Sequence, residues 1–485
     1  MEEMHVLLRN RGKIIPTDAK SYMSVGGYVA LKKALSMEGA EIIQVLKDAG
    51  LRGRGGAGFP TYLKLQFAYN TQSDEKYIVC NADEGEPGTN KDRVLLSEDP
   101  NSIFEGMAIA AKAIGAHKGF IYLRSEYPYI RPILIEALES ARQAGCLGKN
   151  ILGSGYDFDI ELHSGAGAYV CGEETALFES IEGNRGEPRF RPPYPGTKGL
   201  FGKPTILNNV ETYANVPKII LQGADWYRTI GTAGSPGTKT FSLTGAIENT
   251  GLIEVPMGST LRQIIFDIGG GLKNGATFKA VQIGGPSGGC LTEKHLDEPL
   301  DFDSVKKFNA IVGSGGMVVM DDHTCMVEVA RFFMSFTQRE SCGKCVPCRE
   351  GTKRMLEILE KIVAGQGDLE DLDKLEELAS MVKTMALCGL GKSAPLPVIS
   401  TLSTFRDEYV EHIVDKKCRA KACTALRRYV INPAYCKGCG KCARNCPVNA
   451  ISGKVKLPYH IDPAVCIKCG ACKENCAFDA IYIEA

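Results

Sequence analysis

The sequence predicts a multidomain protein of mixed α/β and α+β class, and three observations carry that expectation. The chain has 485 residues, too many for one hydrophobic core, so roughly two to four domains are expected. Its local texture changes three times along its length. Its 19 cysteines crowd toward the C-terminal end.

Residues 26–50 carry apolar side chains at helical spacing, in YVALKKAL and then EIIQVLKDAG, with Gly50 placed as a C-cap. The glycine-rich stretch LRGRGGAGFP (51–60) follows this helix. After it come an aromatic-rich helix, Tyr62–Tyr69, and a short buried strand, Tyr77–Cys80. Alternating helical and apolar strand patterns, such as GFIYLR (119–124), continue to about Asn215 and define an α/β domain over 1–225. KTFSLTGAI (239–247), GLIEV (251–255) and FKAVQIGG (278–285) are strand-like and separated by glycine turns. With one helix at Thr260–Asp267, they predict a small mixed β domain over 226–320. Residues 321–425 read as helical, with leucines every three to four positions in RMLEILEKIVAG (354–365) and DLEDLDKLEELASMVKTM (368–385). Residues 426–485 are short, cysteine-dense and internally repeated.

Composition excludes several classes. The 57 basic and 57 acidic residues balance, which leaves no basic footprint for nucleic acid. No apolar run approaches the roughly 18 residues of a membrane span. The N-terminus, MEEMHVLLRNRGK, has acids first and no sustained apolar core, unlike a signal peptide. A soluble, cytoplasmic protein is expected. An odd number of clustered cysteines without a secretion signal points to metal or cluster ligation rather than disulfides.

Cys436, Cys439, Cys442 and Cys446 form C-x2-C-x2-C-x3-C, followed by Pro447, and Cys466, Cys469, Cys472 and Cys476 repeat it. In two-cluster ferredoxins the fourth cysteine of each run serves the other cluster. The crossed assignment gives Cys436, Cys439, Cys442 and Cys476 to one [4Fe–4S] cluster. Cys446, Cys466, Cys469 and Cys472 go to the second. Paired zinc knuckles, the alternative, rarely show this doubled run. Cys342, Cys345 and Cys348 form a third set in ESCGKCVPCREG, with Cys388 of ALCGLGKSAP as the fourth ligand if the leucine-rich helices form a hairpin; spacing alone leaves iron–sulfur and zinc open. His412, Cys418 and Cys423, with Cys325, match a Cys3His zinc site; unligated surface thiols beside Lys416, Lys417 and Arg419 are the alternative. Cys80, Cys146, Cys171 and Cys290 read as buried small hydrophobes.

Gly53, Gly55 and Gly58 satisfy G-x-G-x-x-G, yet a helix precedes them where a Rossmann turn needs a strand. What remains is a phosphate cradle: backbone N–H groups free of bulky side chains, Arg52 and Arg54 beside them, and a helix N-terminus beyond. A flexible connector is the alternative. Asp83, Glu84 and Glu86 in NADEGEPG, and Glu173 and Glu174 in GAYVCGEETAL, offer carboxylates for ribose hydroxyls, or else serve as solvated turns and helix caps.

LRGRGGAGFPTYLK, CNADEGEPGTNKDR, GAYVCGEETAL, KPTILNNVET, ESCGKCVPCREGT and LCGLGKSAP, in that order, resemble the NADH-oxidising flavoprotein subunit of complex I over about residues 25–415. The resemblance implies a non-Rossmann FMN- and NADH-binding domain, a β-grasp-like domain, a helical [4Fe–4S] domain and a ferredoxin-like tail. It implies FMN contacts at Gly53, Gly55, Lys64, Asn81, Asp83, Tyr169, Gly172, Glu173, Asn208, Asn209 and Thr212. It implies NAD(H) contacts at Phe59, Phe67, Glu86, Glu174, Arg191 and Tyr194, and makes Cys342, Cys345, Cys348 and Cys388 [4Fe–4S] ligands. Gly85, Ser125, Arg191 and Tyr194 depart from the commoner serine, glycine, lysine and phenylalanine. The tail and the Cys325/His412/Cys418/Cys423 set are similar instead to the flavin-bearing subunit of electron-bifurcating, NAD-dependent hydrogenases and related ferredoxin-linked complexes. That subunit usually begins with a thioredoxin-like [2Fe–2S] domain. Only about twenty-five residues precede the flavin domain here, so that part is expected to be missing or supplied by a partner chain.

The expected function is therefore exchange of hydride between NAD(H) and FMN, and of single electrons through three [4Fe–4S] clusters, with no essential protein general base. Ferredoxin and a further redox subunit (hydrogenase, formate dehydrogenase or other) are the expected partners, and flavin-based bifurcation the expected use. The rival readings are a non-bifurcating diaphorase subunit and a non-catalytic electron-wiring scaffold. Intact Lys64, Glu86 and Glu174 argue against the scaffold.

Overall fold

The computed structural model describes residues 2–484. Four strands, β1 (Tyr77–Ala82), β2 (Lys118–Leu123), β3 (Asp159–Ser164) and β4 (Thr205–Asn209), form an all-parallel sheet in the order β3-β2-β1-β4. Parallel neighbours need crossovers, and helices supply them: Lys91–Glu98 and Pro100–Ile114 after β1, Ile130–Gln143 after β2, and Glu174–Ile181 after β3. Both faces are covered, which is why these strands read as apolar runs. Ile78, Cys80 and Ala82 share a core with the helices Pro100–Ile114 and Val210–Gln222. Tyr77 and Val79, one residue out of phase, pack with Leu177 and Phe178 of the helix Glu174–Ile181.

The strand order reverses at β1, which has β2 on one side and β4 on the other. In an open parallel sheet, such a reversal leaves a crevice above the carboxyl ends of the strands. Asn81, Asn208 and Asn209 sit at that edge, with Cys80 opposite Asn208 and Asn81 opposite Asn209 in the register of β1 and β4. The pattern expected over 26–50 resolves into the helices Val29–Leu35 and Gly39–Ala49, the second closed by Gly50 at φ 69°. The glycine-rich stretch thus follows a helix and is not the turn after β1.

Five further strands, β5 (Thr238–Gly245), β6 (Gly251–Pro256), β7 (Phe278–Ile283), β8 (Gly289–Thr292) and β9 (Gly316–Asp321), form a mixed sheet in the order β6-β5-β9-β7-β8. Only β5 and β9 pair in parallel. The helix expected at Thr260–Asp267 is mostly a π turn over Gln263–Ile268, whose Ile264 and Ile265 pack on this sheet. The leucine-rich segments form the helices Val346–Val363 and Glu370–Met385. The first begins eight residues before the expected start, directly after Cys345 with a proline in its opening turn. The cysteine-dense tail pairs β10 (Arg428–Ile431) with β13 (Ile481–Glu484), and β11 (Ile451–Ser452) with β12 (His460–Ile461). Among the described residues, no helix is long and apolar enough to cross a membrane.

Candidate functional site

The crevice gathers most of the residues expected to touch FMN. Asn81 closes β1 and donates from Nδ2 to the Gly172 carbonyl at 2.9 Å, while its Oδ1 accepts from the Asp83 N–H at 3.0 Å. The Asp83 carboxylate faces Gly172, and its buried Oδ2 has no partner within the protein. Burial pushes the Asp83 carboxyl up to about 7, against the opposing pull of Arg124. An orphaned acceptor here fits a hydroxyl-bearing ligand such as the ribityl chain of FMN. Lys64 reaches in from the helix Thr61–Asn70, with Nζ 3.0 Å from the Leu207 carbonyl and 3.5 Å from Glu174. The glycine stretch approaches closely: a Cβ on Gly55 would lie 3.0 Å from that of Asn209, and a Cβ on Gly85 would stand 2.6 Å from the Tyr169 ring. Gly85 thus lets Tyr169 close over the crevice edge, which no larger residue permits in this arrangement.

Several expected contact residues are already engaged by the protein. Glu173 caps the helix Glu174–Ile181, its Oε2 accepting from the Thr175 and Ala176 N–H groups at 2.9 and 3.0 Å. Arg191 binds both Glu173 and Glu174, the latter at 2.8 Å. Asn209 donates from Nδ2 to the Asp92 carboxylate at 2.6 Å and accepts at Oδ1 from Lys91 Nζ at 3.0 Å, and the Thr212 hydroxyl accepts the Arg54 N–H at 2.8 Å. Gly53 donates its N–H to the Phe59 carbonyl at 2.8 Å, which folds the glycine stretch back on itself.

The aromatic residues expected to meet NAD(H) are exposed: Phe59, Phe67 and Tyr194 are 44%, 53% and 60% exposed, which leaves ring surface free for a stacking ligand. Gly196 packs on Phe67, which holds the Arg191–Tyr194 segment above the helix that carries Lys64. Glu86 differs: it is buried, with Oε2 accepting from the Ser314 hydroxyl at 2.5 Å and Oε1 from Thr89 at 3.1 Å. Its carboxylate ties the parallel-sheet body to the segment before β9.

The two arginines of the glycine stretch are not anion ligands, and the phosphate cradle read from them needs correction. Arg54 is fully buried and spends its guanidinium on the Thr238 and Pro236 carbonyls and the Tyr227 hydroxyl. Arg52 pairs with Asp303 at 2.7 Å and donates to the Gly58 carbonyl at 2.6 Å. Glu84 likewise turns inward, accepting the Asp92 and Arg93 N–H groups and the Tyr127 hydroxyl. Sequence adjacency put these groups beside the loop; local backbone direction took them away from the crevice.

Among the described residues, cysteines wall three cavities. Cys342, Cys345, Cys348 and Cys388 surround one, where the helical hairpin returns Cys388 to the loop. Its other wall is Val170 and Pro188 of the parallel-sheet body, so thiols and crevice share the short turn Tyr169–Gly172. In the tail, Cys436, Cys439, Cys442 and Cys476 surround a second cavity, and Cys446, Cys466, Cys469 and Cys472 a third. The grouping follows the crossed order. Four thiols around each cavity, with no histidine or carboxylate among the lining residues, is a donor set that suits an iron–sulfur cluster.

Cys325, His412, Cys418 and Cys423 are all buried, and their ligand atoms lie within 4.8 Å of one another. His412 Nε2 is 3.3 Å from both Cys325 and Cys423 Sγ, and its Nδ1 is 2.7 Å from the Glu408 carbonyl. That outer contact fixes the tautomer that presents Nε2 to a cation.

Sequence reasoning missed the residues that join crevice to thiols. Glu340, two residues before Cys342, accepts the Tyr169 N–H at 2.8 Å. Arg185 donates to the Cys342 carbonyl and Lys344 to the Pro188 carbonyl, each at 2.8 Å. The only signal was position: Glu340 and Lys344 flank a cysteine motif, but nothing in the pattern reveals their partners.

Crevice and thiol cavities define an oxidoreductase subunit that holds a flavin and iron–sulfur clusters, and comparison with known proteins agrees. The Nuo51 FMN-binding domain matches residues 46–218, the iron–sulfur binding region of NADH-ubiquinone oxidoreductase-F matches 328–412, and a 4Fe-4S binding domain matches 429–452. The NADP-reducing hydrogenase subunit HndC of Solidesulfovibrio fructosivorans is 55% identical over 458 residues, covering 94% of this chain and 93% of that one. An NADH-quinone oxidoreductase subunit of Rhizobium meliloti is 45% identical over 418 residues, covering 85% of this chain and 98% of that one. The structure of an NAD+-reducing [NiFe]-hydrogenase in the H2-reduced state aligns with a TM-score of 0.75 at 38% identity, covering 85% of this chain and 67% of that one. The chain belongs to the family of the NADH-binding, FMN- and [4Fe–4S]-containing flavoprotein subunits of complex I and NAD-linked hydrogenases.

The orphaned Asp83 makes a prediction about the flavin-free protein. A carboxyl raised from 3.8 to about 7 in the folded state is protonated there while the unfolded chain is already ionised. Its contribution to stability is therefore fully present below the unfolded value and is lost as pH rises through about 7. Flavin-stripped protein is expected to lose a few kcal/mol (order of magnitude) across that window relative to Asp83→Asn. Urea midpoints against pH measure this, and parallel profiles for the two proteins would sink it.

Proposed function

We propose that this chain is the nicotinamide-oxidising or -reducing module of a multisubunit redox complex, in which it exchanges hydride with NAD(H) at FMN and passes electrons singly to [4Fe–4S] clusters. One observation carries the reading: the turn Tyr169–Gly172 contributes Val170 to the Cys342 thiol cavity and Gly172 to the crevice. FMN, when bound, supplies the conversion between two-electron hydride chemistry and one-electron transfer. In this reading Asp83 and Asn81 orient the ribityl side, Lys64 neutralises the phosphate, and Gly53 and Gly55 let the backbone approach. Phe59, Phe67 and Tyr194 stack the dinucleotide, and Glu174, with Arg191 set across it, takes its ribose. Three clusters are assigned to the three thiol cavities, and the mixed β domain over 226–320 is read as β-grasp-like.

A relative named as a subunit of an NADP-reducing hydrogenase and a solved NAD+-reducing hydrogenase favour a hydrogenase-type partner. The other partners in this reading are a thioredoxin-like [2Fe–2S] subunit and ferredoxin, with bifurcation as the use, and its support is the motif resemblance of the cysteine-dense tail and the Cys325/His412/Cys418/Cys423 set. Anaerobic purification of the native complex tests this. NADH or NADPH is expected to bleach the flavin, and reduction of ferredoxin to depend on a second donor. Simple flow from NADH to ferredoxin would leave the hydride module standing and remove bifurcation; flavin absence would leave the scaffold reading.

The Cys325/His412/Cys418/Cys423 set is assigned to structural zinc. Metal analysis of His412→Ala is expected to show a loss of about one zinc per chain with iron retained, and a lower melting temperature. Unchanged zinc would remove the assignment.

A further inference from the structure

Lys279 lies near the start of β7, where the pairing with β9 slips. Phe278 faces Asp321 and Ala280 faces Met320, which leaves Lys279 as the extra residue of a β-bulge. A bulge re-aims a side chain out of the regular alternation of a strand. Here the ammonium leaves the mixed sheet for the helical region. It pairs with Glu408 at 2.7 Å, the two side chains being 13% and 1% exposed, and donates to the Thr324 carbonyl at 2.5 Å. The Phe405 ring centroid stands 5.8 Å from it. Ala280, Cys290, Met320 and Met326 form an apolar seam between sheet and helices.

The polar contacts of this pair fall on the flanks of the Cys325/His412/Cys418/Cys423 set. Thr324 precedes Cys325, so Lys279 holds the carbonyl on one side of that thiol. Met326 follows it and donates its N–H to Glu408 Oε2 at 3.2 Å, on the other side. The Glu408 carbonyl in turn accepts from His412 Nδ1 at 2.7 Å. One buried ion pair thus brackets Cys325 and stands behind His412. A joint between sheet and helices needs a cation opposite an anion, but it does not need both to bond the backbone around a single thiol. The seam also has a plain joint: the Cys290 N–H donates to Ser400 Oγ at 3.2 Å, and neither residue neighbours a member of the set in sequence.

We propose that Lys279 is a positioning residue for this metal site, so that the mixed sheet, which supplies no ligand, sets how firmly the ion is held. The proposal rests on the zinc assignment above. An ammonium buried without its anion is costly, which keeps Lys279 and Glu408 together. The backbone bonds they make fix the directions of Cys325 Sγ and His412 Nε2. Ligands held in place release a cation slowly; ligands free to turn release it sooner. Linkage makes the effect reciprocal, and metal at the site tightens the seam at β7.

The test follows zinc loss from the anaerobically purified complex into excess EDTA, with the zinc and iron retained by the protein counted by mass spectrometry. Lys279→Met is expected to release zinc about tenfold or more faster than wild type, as loss of an outer contact usually does. Glu408→Gln keeps an acceptor for the Met326 N–H; it is expected to fall between the two, and it serves if Lys279→Met fails to retain iron. Ser400→Ala, which opens the seam away from the site, is expected to leave the rate unchanged. Wild-type release from Lys279→Met and Glu408→Gln, or equal acceleration by Ser400→Ala, would overturn the proposal. Amide exchange in β7 reads the reciprocal arm. His412→Ala is expected to speed it alone and to add little on top of Lys279→Met, whereas additive effects would refute the coupling. A wild-type complex without zinc defeats the assignment and the proposal together; zinc that is bound but released alike by every variant defeats only the role of Lys279.

Discussion

Glu211→Ala is expected to destabilise the protein by about 3–5 kcal/mol, a large share of the stability of an ordinary domain. Glu211 lies in the first turn of the helix Val210–Gln222 and is fully buried. Its carboxylate takes Lys239 Nζ at 2.6 Å, the Thr240 N–H at 2.9 Å and Lys91 Nζ at 3.3 Å. Burial alone would raise this carboxyl, yet Lys239 and Lys91 outweigh it and hold Glu211 below the ordinary range. Lys239 is itself held down to about 8 by burial even with Glu211 beside it. Truncating Glu211 leaves two buried ammonium groups sharing one site with only Asp92 beside Lys91. The damage extends past one helix, because Lys239 starts on β5 and also donates to the Ser314 carbonyl at 2.7 Å. A depressed carboxyl contributes stability above the unfolded value and loses it as pH falls through the folded one, so the gap between wild type and Glu211→Ala should narrow in acid. Glu211→Gln, which retains a partner for Thr240 but no charge, should fall between them. Denaturant melts at several pH values decide it; a loss under about 1 kcal/mol at neutral pH would show that the network is dispensable.

The second large effect concerns cluster wiring. Cys476 lies in the second cysteine run but walls the cavity of Cys436, Cys439 and Cys442. Under the crossed assignment proposed here, Cys476→Ala abolishes the cluster shared with Cys436, Cys439 and Cys442 and spares the one held by Cys446, Cys466, Cys469 and Cys472. Iron is expected to fall by about a third, since one cubane of three is lost. Cys446→Ala should produce the same iron loss with the complementary electron paramagnetic resonance signal missing. If Cys476→Ala and Cys469→Ala instead remove the same signal, the wiring is uncrossed.

Much of this architecture is legible in the residues themselves. The helix before the glycine stretch, the strand at Tyr77 and the mixed sheet after 226 follow from apolar periodicity, which is a local property. The cysteine spacings are local too, because a cluster needs three thiolates on one tight loop. Places where local reasoning failed are those where a side chain's partner is remote in sequence. Arg54 looked like an anion ligand because it sits among glycines, yet its acceptors are Thr238 and Pro236, far along the chain. Glu86 shared a motif with Asp83, yet the irregular backbone after β1 sends Asp83 toward Gly172 and Glu86 toward Ser314. The buried lysines Lys91 and Lys239 carry no sequence mark of burial at all, because only folding brings Glu211 between them.

By itself, then, the sequence determined the order of helical and strand segments, the thiols available to each cavity and the flavin-type motif set, all properties of short segments with their own geometric demands. The tertiary structure alone decided which acids and cations face the crevice, and how Glu340 and Val170 join it to the first thiol cavity. Those depend on the directions in which distant segments meet, and a charge's role is set by what lies opposite it, not by its neighbours in the chain.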